Sequence, residues 1–90
     1  IDTQATARED LRASHFAYDL TDARRDPNVV FPFQTLQRLA EQGFLGSLAR
    51  RAYTFMGGIY SSRKVRDWIA PDLSVRLAQD QVDLALLVPV

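Results

Sequence analysis

Val82-Asp83-Leu84-Ala85-Leu86-Leu87-Val88-Pro89-Val90 is almost continuously apolar. A strand with one wet face alternates between apolar and polar residues. This run does not, so it reads as a strand covered on both faces, the kind found inside a parallel sheet. It is too short to span a membrane, which takes about 20 apolar residues. In open parallel sheets, ligands and catalytic groups gather just past the carboxyl ends of such strands. The chemistry is therefore expected beyond this run.

Working outward from it, Ser62–Asp80 carries Val65, Ile69, Leu73 and Leu77 at every fourth position, with Trp68 beside them. That spacing predicts a helix. Pro71 lies in its middle, where proline removes a hydrogen bond and costs about 3 kcal/mol. A kink or two helices is expected, the second with Pro71 in its first turn and Asp72 favourably placed against the helix dipole. Leu48–Met56 is apolar and aromatic and runs into Gly57-Gly58, which reads as a strand ending in a glycine turn. Phe33, Leu36, Leu39 and Ala40 share one face of a predicted helix over Phe33–Gln42. Pro32 precedes it, and Gly43 follows as a left-handed cap, with Phe44-Leu45 folding back onto the apolar face. Leu11–Tyr18 reads as a short strand, Asp19–Asn28 as a loop and Ile1–Asp10 as a loose polar lead-in.

Strand, helix, strand, helix, strand predicts a small three-layer α/β fold of flavodoxin-like or Rossmann-like type, with Val82–Val88 as the central parallel strand. The 90 residues make one such domain or the N-terminal fragment of a larger one. A strand buried on two faces in so short a chain leaves an apolar patch, so a homo-oligomer is expected.

Eleven basic residues balance eleven acidic ones, so the basic excess that binds nucleic acid or an anionic membrane is missing. There is no cysteine, hence no disulfide, no thiolate nucleophile and no cysteine metal site in these residues. One histidine does not build a zinc site, and no metal is expected. No charged-then-apolar leader opens the sequence, and a cytoplasmic location is expected. The sequence opens on Ile1 rather than Met and is read as a piece.

His15 is the one side chain whose ordinary titration lies near neutrality, which makes it a candidate proton-transfer group; the blander reading is a hydrogen-bonding residue. Asp22 and Asp26 place two carboxylates in one loop, for proton transfer or metal binding, or simply solvated, since no calcium-loop spacing is present. Arg24-Arg25, Arg50-Arg51 and Arg63-Lys64-Arg66 are either an anionic-substrate surface or wet faces. Gly57 offers a turn at which a ligand approaches the backbone, or plain punctuation. Tyr53, Phe55 and Trp68 read most simply as core. The residues alone describe a small α/β piece with no resident nucleophile.

Several runs taken in order resemble a known family. They are Ser14-His15, Asp26-Pro27-Asn28-Val29-Val30-Phe31-Pro32, Gly46-Ser47-Leu48-Ala49, Tyr53-Thr54-Phe55-Met56-Gly57 and the closing run from Val82 to Val90. Together they resemble the selenoprotein B family of glycine, betaine, sarcosine and D-proline reductases. The resemblance implies reductive cleavage of a carbon–nitrogen bond, with a selenolate or thiolate as the attacking species. It implies a pyruvoyl group on a partner polypeptide that activates the substrate amine. It makes Asn28 and Gly57 candidate substrate-binding residues and His15 a candidate catalytic residue. In the family a strand ending Pro-Val is followed directly by selenocysteine or cysteine, so the nucleophile is expected directly after Val90. A gene that continues there through an in-frame UGA is the corresponding expectation. The alternative reading is a non-catalytic interaction module that oligomerises or binds a partner.

Overall fold

Local chemistry specifies the helices of this chain, and little else is regular. The computed structural model describes residues 1–90. In order come a 3-10 turn at Arg8–Asp10, helix α1 at Thr21–Arg25, a 3-10 turn at Pro27–Val29 and helix α2 at Phe33–Glu41. Helices α3 (Ser62–Lys64) and α4 (Ala70–Gln79) are joined without a break by a π-helical turn at Val65–Ile69. Contacts divide the chain into two units, Ile1–Ala52 with Leu86–Val90, and Tyr53–Ala85.

The first unit is held by its opening residues. The N–H of Thr3 donates to the Arg50 carbonyl at 2.7 Å, and the N–H of Ala52 donates to the Ile1 carbonyl at 2.9 Å. These bonds flank an isolated antiparallel bridge between Asp2 and Arg51. The Thr3 hydroxyl donates to the carbonyls of Ala49 (2.8 Å) and Arg50 (3.1 Å). From α2, the Gln37 amide donates to the Thr3 carbonyl at 2.8 Å. Thr3 is buried, and so are Ala23 of α1 and Phe33 of α2. The segment read as a loose lead-in is therefore an anchor.

Helix α2 matches its predicted span to within one residue. At its end the N–H of Gly43 donates to Ala40 and that of Phe44 to Leu39, at 3.1 and 2.9 Å. This double closure leaves the residue after the last turn left-handed, and Gly43 has φ 83°. Phe44 does not fold back as expected and is largely exposed.

In the second unit the Ser61 hydroxyl accepts the Lys64 N–H and starts the helical run. Pro71 cannot donate to the Asp67 carbonyl four residues earlier, and its ring crowds that carbonyl. The backbone responds by widening. The Ala70 N–H reaches the Val65 carbonyl, five residues back, and α4 begins with Pro71 in its first turn. A single π turn inside an α-helical run leaves the helix continuous on both sides of it. The end of α4 repeats the α2 closure, with Gln81 N–H to Ala78 and Val82 N–H to Leu77. Here the left-handed residue is Gln81, at φ 54°. The Tyr53 hydroxyl donates to Asp80 at 2.9 Å.

The two caps predict opposite signs for opposite substitutions. Gly43→Ala forces a side chain into the left-handed region, at a cost of roughly 1–2 kcal/mol. Gln81→Gly relieves the same strain, offset in part by the larger backbone entropy of glycine, for a net gain of about 0.5–1 kcal/mol. Urea midpoints check both, and a shift of the same sign in the two variants contradicts the assignment.

The expected parallel sheet does not form. The chain contains no strand, only the Asp2–Arg51 bridge, so the three-layer flavodoxin-like or Rossmann-like α/β reading is corrected to an irregular helical chain. Leu11–Tyr18 is broken at His15, whose ring nitrogen Nδ1 accepts the Ala17 N–H at 3.0 Å and bends the backbone. Within Leu48–Met56, the carbonyls of Ala49 and Arg50 are taken by Thr3. Val82–Val88 finds no ladder partner, and Leu84 and Leu87 are 82% and 77% exposed. An unbroken apolar run states which faces a strand would have to bury; it does not supply the neighbours that bury them. Phe55 and Trp68, read as core, are likewise mostly exposed.

Candidate functional site

The run Asp26-Pro27-Asn28 folds as its chemistry dictates. Aspartate before proline is a helix-start signal, because the carboxylate caps the first N–H groups and proline's fixed φ suits the first position. Asp26 ends α1, its N–H donating to the Asp22 carbonyl at 2.8 Å. Its carboxylate then accepts the Asn28 N–H at 3.0 Å and starts the turn Pro27–Val29.

Asn28 is the centre of this junction. Its side-chain amide N–H groups reach Asp26 at 3.0 Å and Gln34, in the first turn of α2, at 3.2 Å. Both partners are acceptors, which fixes the orientation of the amide. The remaining amide oxygen is buried and has no hydrogen-bond partner. An unpartnered buried carbonyl is destabilising by about 1–3 kcal/mol. Following the turn in sequence, Phe31 and Phe33 stack with ring centroids 5.4 Å apart. Arg8 donates to the Arg25 carbonyl at 2.8 Å, which ties the turn at Arg8–Asp10 to the end of α1.

The other candidates are placed elsewhere. His15 accepts the Ala17 N–H through Nδ1, which puts the proton of the neutral ring on Nε2, and its ring stacks on Phe16 at 4.9 Å. No hydrogen bond joins His15 to Asn28. Asp22 pairs with Arg25 at 3.8 Å while Asp26 serves Asn28, so the two carboxylates do not act as a pair. Gly57 belongs to the second unit, and a Cβ built on it meets nothing within 4 Å. The left-handed glycine of that pair is Gly58, at φ 72°. Arg50 binds Asp2 at 2.9 Å, and Arg66 binds Asp67 at 2.9 Å. Arg63 and Lys64, with Ser61, Asp67 and Trp68, line an open concavity of about 350 Å³.

Three carboxylates are held below their ordinary value of 3.8. The Gln4 N–H lowers Asp2 most, followed by the Arg50 guanidinium. The Thr21 hydroxyl and then its N–H lower Asp19. The Asn28 N–H, its side-chain amide, and the charges of Arg8 and Arg38 lower Asp26. A carboxylate depressed in the folded state contributes stability above its unfolded pKa and loses it as pH falls through the folded one. Stability is therefore expected to fall as the solution is acidified through and below 3.8. Asp2→Asn is expected to flatten that decline, as thermal melts across an acid pH series will show. An unchanged pH slope in Asp2→Asn contradicts the contribution.

Reading the sequence missed Thr3 and Gln37, the groups that bind the first unit together. It also missed the pairing of Tyr53 with Asp80. Chemically, the arrangement around Asn28 offers acceptors and fixed cations, and no thiol. It can position a group but cannot attack one.

The family model of glycine/sarcosine/betaine reductase selenoprotein B matches residues 2–89. The chain belongs to that family. It is similar to the D-proline reductase subunit gamma of Acetoanaerobium sticklandii, with 35% identity over 78 residues, which is 87% of this chain and 32% of that protein. The chain thus spans about a third of the length of the curated relative it matches. No solved structure matches it. No helix is long and apolar enough to cross a membrane.

Proposed function

We propose that this chain is part of a reductase of the selenoprotein B type, which reductively cleaves the carbon–nitrogen bond of a small amino acid or methylated amine in the cytoplasm. The observation that carries the reading is the family match over residues 2–89, supported by the D-proline reductase relative. The 90 residues contain no cysteine, so the soft nucleophile this chemistry needs comes from outside them. A partner polypeptide carries the pyruvoyl group that activates the substrate amine. In this reading Asn28 serves the substrate side, with its unpartnered oxygen as an acceptor once the junction opens. Gly57 and His15 are the weaker candidates, since neither is joined to Asn28. In this reading the chain assembles with partner subunits and with further copies of itself, and the exposed apolar side chains in each unit, Phe44 and Leu87 in the first and Trp68 and Leu84 in the second, support it.

Binding tests the reading. Mixed with the pyruvoyl-bearing subunit of a D-proline reductase, the chain is expected to co-elute with it on size exclusion. Separate elution at micromolar concentrations removes the reductase reading and favours the non-catalytic interaction module. The isolated chain is expected to give no dithiol-dependent turnover of glycine, betaine, sarcosine or D-proline. Turnover that His15→Ala abolishes would overturn the placement of the nucleophile outside these residues.

A further inference from the structure

No further inference is drawn: the strongest candidate, the exposed apolar segment Val82–Val90 with Leu84, Leu86 and Leu87 in solvent, carries nothing because nothing in the structure shows what covers it.

Discussion

Phe33→Ala is expected to abolish cooperative unfolding of the first unit. Phe33 is 4% exposed, and the other buried apolar residue is Ala23 at 3%. Truncating a buried phenylalanine costs about 3–5 kcal/mol. A single small core rarely supplies more than about 3–5 kcal/mol in total. The loss therefore matches the whole margin. The stack on Phe31 goes with it. Far-UV circular dichroism during urea titration is the measurement. The variant should show a shallow, non-cooperative loss of signal, while Phe33→Leu, which keeps most of the volume, should keep a transition. A sharp transition in Phe33→Ala with a midpoint near the parent's would show that the unit is held chiefly by its hydrogen bonds.

How much of this was legible from the residues depends on how local the deciding information is. Helix α2 was legible because Phe33, Leu36, Leu39 and Ala40 set its face, and Pro32 and Gly43 mark its ends. All of that lies within about three turns of chain. Pro71 likewise announced a defect in the later helix. Whether the defect becomes a kink, a break or a π turn depends on how the carbonyls before it find partners, which residue spacing does not encode. Helix α1 escaped notice because five residues with one apolar side chain show no periodicity. The strands failed for a different reason. Val82–Val88 states a demand for burial on two faces, and meeting that demand needs neighbours from elsewhere. Residues 49–52, in the other stretch read as strand, pair along the backbone only with Ile1–Thr3.

The candidate site divides along the same line. The turn at Asp26-Pro27-Asn28 is a local capping signal, and the family resemblance drew attention to Asn28 for independent reasons. Its buried, unpartnered oxygen arises from three elements meeting, which only the structure shows. The glycine pair Gly57-Gly58 suggests close backbone approach at Gly57. The conformational need for glycine falls on its neighbour Gly58.

Thr3→Val is expected to release the opening segment from residues 49–52. The substitution keeps the branched shape and replaces the hydroxyl with a methyl group. Thr3 is 3% exposed, so water does not readily replace the lost partner. The Arg50 carbonyl keeps the Thr3 N–H at 2.7 Å, but the Ala49 carbonyl loses the hydroxyl that reaches it at 2.8 Å. The Ala49 acceptor is part-buried, so leaving it unmade costs about 1 kcal/mol, the low end of the range for buried groups. The exposed Asp2–Arg50 ion pair is too well solvated to compensate. Thr3→Ser keeps the hydroxyl and gives up a methyl group, so it should lose less. Hydrogen exchange at the Ala52 amide, which donates to the Ile1 carbonyl at 2.9 Å, reads the clamp directly. Exchange there should quicken in Thr3→Val by about fivefold, the factor that about 1 kcal/mol gives when each 1.4 kcal/mol is tenfold, with Thr3→Ser closer to the parent. Equal protection in Thr3→Val and the parent would mean that Gln37 and the backbone pair hold the segment without the hydroxyl.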